Sequence, residues 1–81
     1  MTNHRIAEHL RHEAERRARM PEAHRDPHRV RAFLKAADAV EVHPEPLTAL
    51  HARGRLIEVP GVGPKIGRYI ANLIDPEERG C

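Results

Sequence analysis

Residues 56–70 read Leu-Ile-Glu-Val-Pro-Gly-Val-Gly-Pro-Lys-Ile-Gly-Arg-Tyr-Ile, and this stretch decides the fold. At its centre Gly61 and Gly63 flank one apolar residue. This arrangement predicts a tight hairpin, because glycine adopts backbone dihedral angles that other residues avoid. Ile66 and Ile70 are four residues apart, so they share one helical face and can join the segments on either side of the turn. The stretch therefore predicts two helices joined by a very short turn.

A helix that begins directly after this turn, at Pro64, has unpaired main-chain N–H groups at its start. These groups together carry about half a positive charge and bind anions without a side chain. The flanking glycines have no β-carbon, so a phosphate can come close, and Lys65 and Arg68 add positive charge. The predicted phosphate contacts in this stretch are Gly61, Val62, Gly63, Lys65, Ile66 and Arg68. The alternative is an ordinary turn between two helices that merely contains Pro-Gly.

Helical spacing of apolar residues elsewhere predicts an all-α domain of four helices and no strands. We place these helices at residues 3–19, 27–42, 46–53 and 64–74, with one or two further turns at 55–59. Asn3 and Asp26 are expected N-caps, and Gly54 fits the left-handed position that follows the third helix. We expect one compact domain over residues 1–76 and a flexible tail over residues 77–81.

The predicted helices differ in how strongly they should pack. The second has a clear apolar face, formed by Val30, Phe33, Leu34, Ala37 and Val40. The first has a narrow stripe of mostly small residues, so we expect it to be the least firmly packed. Its end, Arg16-Arg17-Ala18-Arg19, reads equally well as a phosphate-contacting stripe or as a solvated helix end, where arginines are favourable.

Charge and cysteine content limit the class of protein. The 81 residues carry a net charge of +2, but residues 1–35 hold nine basic and five acidic residues. A basic half favours a polyanionic partner, although a solvated face of Arg–Glu pairs explains it as well. One cysteine, Cys81, cannot form an internal disulfide, and no run of residues is long and apolar enough to be a membrane span or a leader. We expect a cytoplasmic monomer that does not associate with membranes.

Residues 3–74 resemble the N-terminal domain of the family X DNA polymerases, which include DNA polymerase beta. The Pro-Gly-Val-Gly stretch resembles the helix-hairpin-helix motif of that domain. The run at 30–40, Val-Arg-Ala-Phe-Leu-Lys-Ala-Ala-Asp-Ala-Val, resembles its second helix, and Asn-His-Arg-Ile-Ala at 3–7 resembles its opening. The resemblance implies a module, free-standing or part of a larger polymerase, that binds gapped, nicked or single-stranded DNA in repair and contacts a 5′-phosphate.

The resemblance also implies specific site residues. The phosphate pocket would use Lys35, His28 and Lys65, with Arg29 at another basic position. No cofactor is required, but Na⁺ or K⁺ would bridge the DNA phosphate to the backbone carbonyls of Ile57, Val59 and Val62.

The resemblance fails at the lyase nucleophile. Family members with lyase activity form an imine through a lysine, and the matching position here is Tyr69, whose phenol cannot do so. We therefore predict binding without catalysis for the domain on its own. Two alternatives remain: an abasic-site or deoxyribose-phosphate lyase that uses Lys65, and a protein-docking module. The seven histidines, such as His9, His12, His24 and His28, have no spacing that guarantees a metal site, and we expect them to lie on the surface.

Overall fold

Four helices and one short 3-10 helix make up the computed structural model, which describes residues 1–21 and 26–76. The elements are α1 (Asn3–Ala18), α2 (Pro27–Val42), α3 (Leu47–Ala52), the 3-10 helix (Leu56–Glu58) and α4 (Pro64–Ile74). The all-α, four-helix prediction is confirmed, with no strand in the described ranges. The tail predicted at residues 77–81 lies outside the described residues, as does His24.

Local chemistry sets the helix boundaries that the sequence predicted best. Asp26 caps α2, where its Oδ1 accepts the amides of His28 and Arg29 at 3.0 and 3.3 Å. Proline occupies the first turn of both α2 and α4, and both helices have the predicted bounds. Gly54 has a φ of +67° and follows α3 in the left-handed conformation, as expected.

The predicted role of Asn3 is wrong. Thr2 is the N-cap of α1, because its Oγ1 accepts the Arg5 amide at 3.1 Å. Asn3 is already helical, and its side chain crosses to the start of α3. There its Oδ1 accepts the Leu47 amide at 2.8 Å, and its Nδ2 donates to the Glu45 carbonyl at 2.8 Å. Asn3 therefore caps α3, whose own N-cap, Pro46, has no side-chain hydrogen bond to offer.

Replacement of Asn3 by alanine should therefore destabilise the start of α3, although the two lie far apart in the sequence. We expect a loss of about 1–2 kcal/mol in the free energy of unfolding, because the partly buried Leu47 amide loses its acceptor. Hydrogen exchange measured by NMR should show faster exchange at Leu47. Unchanged protection of that amide in Asn3→Ala would contradict the capping role.

The core lies where α1 packs along α2, and buried residues of α4 belong to the same cluster. Ile6, Leu10, Val40 and Ile70 are completely buried. The expectation that α1 is the least firmly packed helix is wrong, because α1 and α2 form the most extensive contact between elements. Small buried residues on both helices allow this close approach, namely Ala7, Ala14, Ala36 and Ala37.

Leu34 corrects the predicted face of α2. Its side chain is 43% exposed, whereas its neighbour Phe33 is buried. Successive residues on a helix point about 100° apart, so only one of the two can face α1 fully. Within residues 1–21 and 26–76, no helix has the length and apolar character needed to span a bilayer.

Candidate nucleic-acid interface

The hairpin turn is formed by Val59 to Val62. The Val62 amide donates to the Val59 carbonyl at 3.0 Å, and Gly61 at the third position has a φ of +89°. Proline at the second position and a positive φ at the third are the features of a type II turn. A β-carbon on Gly61 would also lie 3.4 Å from Cβ of Ala39. Gly61 is therefore required by the turn, and a β-carbon there would be in contact with α2.

Gly63 has a different role, although it stands only two residues later. It is the N-cap of α4, with an extended backbone (φ −92°, ψ −177°) that any residue can adopt. A β-carbon built there would meet no atom of the described protein within 4 Å. No side chain caps this helix, so the amides of Lys65 and Ile66 have no hydrogen-bond partner among the described residues.

The two helical segments of the hairpin come very close at Gly67. A β-carbon on Gly67 would lie 3.2 Å from Cγ2 of Ile57 and 3.8 Å from Cγ1 of Val62. Val59, Val62, Ile66 and Ile70 are buried in the core that joins the hairpin to the rest of the chain. The start of α4 is therefore held firmly in place on the body of the protein.

A pocket of about 700 Å³ opens in front of this helix start. Its rim carries five basic side chains drawn from α1, α2 and α4, namely Arg17, His28, Arg29, Lys65 and Arg68. Its wall is largely apolar, with Ala32, Phe33, Pro64, Ile66 and Tyr69, and Asp26 and Asn72 complete the lining beside Gly61 and Gly63. A basic rim around a concave surface is suited to an anionic group that enters end-on.

The structure brings most of the predicted site residues together at this pocket. Gly61, Gly63, Lys65, Ile66, Arg68, His28 and Arg29 all line it. Val62 is buried, and its amide is already used by the turn. Lys35 is exposed, and its Cγ and carbonyl lie behind Gly61, on the α2 side of the turn. Lys35 is therefore near the turn but outside the pocket lining.

A buried carboxylate, Glu13, organises the arginines at the end of α1. Arg16 donates to it through Nε at 3.1 Å and Nη2 at 2.9 Å, and Nε of Arg17 lies 2.8 Å from Oε2. The hydrogen bonds from Arg16 lower the pKa of Glu13 in spite of burial, so it stays ionised. Arg19, by contrast, lies 3.9 Å from the exposed Glu15. The arginine stripe is thus divided, and only Arg17 lines the pocket.

Arg17 and Glu13 are the site residues that sequence reasoning missed or left open. The guanidinium of Arg17 lies over the ring of Phe33, with 5.0 Å between its carbon and the ring centroid. The available signal was a glutamate three and four residues before two arginines, a spacing that places all three on one helical surface. Which arginine turns toward the pocket depends on Phe33 in another helix, and no local pattern reveals that contact.

Tyr69 occupies the position at which lyase members of the resembled family have lysine. Its ring meets Phe33 edge to face, with centroids 5.2 Å apart and ring planes at 85°. Burial raises the pKa of Tyr69, and the nearby Glu13 carboxylate adds to this. Tyr69 is therefore a neutral phenol at physiological pH and contributes apolar wall to the pocket. Lys65 is exposed, whereas an imine-forming lysine is usually desolvated.

The hairpin carbonyls bear on the predicted Na⁺ or K⁺ site. The Val59 oxygen accepts the Val62 amide, which leaves one lone pair for a cation. Binding of Na⁺ or K⁺ by Ile57, Val59 and Val62 therefore stays a prediction. Among the described residues, no group of three or more histidine, cysteine or acidic side chains is arranged to hold a metal ion.

Comparison of the chain with protein-family models decides its family. The model described as "Helix-hairpin-helix domain" matches residues 1–78. The chain belongs to the helix-hairpin-helix family. Helix-hairpin-helix domains generally bind DNA without reading its sequence. Comparisons with curated proteins and with solved structures gave no match. The narrower resemblance to the family X polymerases stays a prediction.

Proposed function

We propose that this helix-hairpin-helix domain binds DNA at a gap or nick and holds the 5′-phosphate at the start of α4. The observation that carries the proposal is the uncapped helix start at Gly63, which faces a pocket with a basic rim. Phosphate groups are the same at every step of DNA, so such a site grips the backbone without reading bases.

The shape of the site favours an end over an interior phosphate. An interior phosphate is bonded to nucleotides on both sides, and the duplex surface around it is convex. A terminal phosphate can enter the open concavity of about 700 Å³ beside the helix start. A terminal phosphate also carries more charge than a diester, about −1.5 to −2 at neutral pH. Titration of three labelled DNAs tests this: a gapped duplex with a 5′-phosphate, the same duplex with a 5′-hydroxyl, and an intact duplex. Equal affinity for all three would overturn the preference for ends.

Salt dependence gives a separate expected result. A contact with two or three phosphates predicts that log K falls with log[salt] with a slope of roughly −2 to −3. Fluorescence anisotropy at several KCl concentrations measures this slope. A slope near zero would instead favour the protein-docking alternative, in which the helical faces bind a polypeptide.

Lyase activity has no supporting feature among the described residues. Tyr69 cannot form an imine, and Lys65 lies in solvent. Borohydride trapping on incised abasic DNA examines this directly. We expect no covalent adduct, and an adduct that disappears in Lys65→Ala would assign the chemistry to Lys65.

A further inference from the structure

Glu13, Arg16 and Arg17 form a cluster at the end of α1 with two positive charges and one negative charge. Glu13 is one carboxylate, and it pairs with two guanidinium groups, those of Arg16 and Arg17. The side chain of Glu13 is only 9% exposed, whereas those of Arg16 and Arg17 are 60% and 28% exposed. The surplus charge therefore belongs to the arginines, and its position depends on how each is held.

Arg17 is the less exposed of the two arginines, and it is held by packing as well as by charge. Its Nε is buried 2.8 Å from Oε2 of Glu13, an ion-pair contact without the geometry of a hydrogen bond, and its guanidinium lies over the ring of Phe33. Arginine carries five N–H donors, and four of them are on the two Nη atoms. Among the described residues, these Nη atoms form no ion pair, and Arg17 lines the pocket. A guanidinium held in this way loses little side-chain entropy when it binds an anion.

We propose that Arg17 is a pre-positioned binding group for the terminal 5′-phosphate and that Glu13 is its positioning residue. This inference rests on the proposed function and adds to it a cationic contact from α1, far in sequence from the hairpin. A terminal phosphate has three free oxygens and needs more donors than one helix start supplies. Arginine provides two parallel N–H groups whose geometry matches two phosphate oxygens.

The experiment compares the affinity for gapped DNA with a 5′-phosphate to that for the same DNA with a 5′-hydroxyl. Arg17→Gln should lower this ratio about tenfold, the effect of one charge-assisted contact of roughly 1.4 kcal/mol. Arg16→Gln is the matched control, because Arg16 is the adjacent residue, pairs with the same Glu13 and lies outside the pocket lining. It should change the ratio less than twofold.

Glu13→Gln separates positioning from simple charge. It removes a negative charge next to the pocket, so bulk electrostatics alone predicts a higher preference for the 5′-phosphate. We expect a lower preference instead, because Arg17 is released from its place over Phe33. Circular dichroism checks that each variant is helical. If Arg17→Gln fails to fold, Arg17→Lys, which keeps the charge but not the paired N–H groups, should still lower the ratio.

Equal ratios in Arg17→Gln and Arg16→Gln would overturn the role of Arg17, and a raised ratio in Glu13→Gln would overturn that of Glu13. Neither result would contradict the hairpin contact, provided that Gly63→Asp still weakens DNA binding. Absence of any 5′-phosphate preference in the wild-type protein would overturn this inference and the end-binding part of the proposed function. If Gly63→Asp also binds DNA as tightly as the wild-type protein, the hairpin contact is overturned as well.

Discussion

Replacement of Gly63 by aspartate is expected to weaken DNA binding about 100-fold while the domain stays fully folded. The new carboxylate would accept the free amides at the start of α4, the same amides that we assign to phosphate, and it would repel the phosphate as well. Loss of charge-assisted hydrogen bonds of about 1.5–3 kcal/mol accounts for an effect of this size.

The fold should tolerate this change, because the backbone at Gly63 is extended and a β-carbon there meets nothing within 4 Å. Aspartate is a preferred N-cap, so the free energy of unfolding should be unchanged or rise by a few tenths of a kcal/mol. Binding and stability therefore move independently, which excludes unfolding as the cause of weak binding.

Thr2→Asp is the matched control. It also places a new carboxylate at a helix N-cap, that of α1. Thr2, however, is fifteen residues before Arg17, which lines the pocket, and this places it about 22 Å away along the helix axis. Its affinity for gapped DNA should change less than threefold. If Gly63→Asp and Thr2→Asp weaken binding equally, the added negative charge alone is responsible and the hairpin is not the contact.

Leu10→Ala should lower the free energy of unfolding by about 3 kcal/mol, the typical cost of removing a fully buried leucine side chain. For a domain of this size, that loss corresponds to a fall of roughly 12–24 °C in Tm. Leu10 lies on α1, the helix whose narrow stripe of small residues predicted weak packing. A large loss would show that α1 is an integral part of the core.

Leu34→Ala provides the comparison, because Leu34 is a leucine on α2 whose side chain is 43% exposed. Its replacement should cost well under half as much, since it removes less buried surface and leaves no enclosed cavity. Thermal unfolding followed by circular dichroism measures both. Similar losses for the two variants would contradict the burial that the structure assigns to Leu10.

Sequence alone predicted the parts of the fold that depend on neighbouring residues. Asp26 before Pro27 and Gly63 before Pro64 mark helix starts by local backbone chemistry, and both starts are confirmed. Thr2 and Asn3 are both good caps, so the choice between them depends on Asn3 reaching Leu47, forty-four residues away. That contact is tertiary and leaves no local pattern.

The candidate site shows the same division. The glycines, Lys65 and Arg68 follow from the hairpin pattern, because their place on α4 is fixed by the sequence next to them. Arg17 enters the pocket only because α1 lies along α2 and brings it over Phe33. The run of arginines could indicate positive charge but not which member faces the ligand.

Gly61 and Gly63 are subject to different constraints, and this has an evolutionary consequence. Position 61 is dictated by the protein's own geometry, since its φ of +89° disfavours any side chain whether or not DNA is present. Position 63 has no such constraint, and under our proposal only the bound phosphate restricts it. Homologues that have lost the ability to bind DNA should therefore retain glycine at the first position and accumulate larger residues at the second.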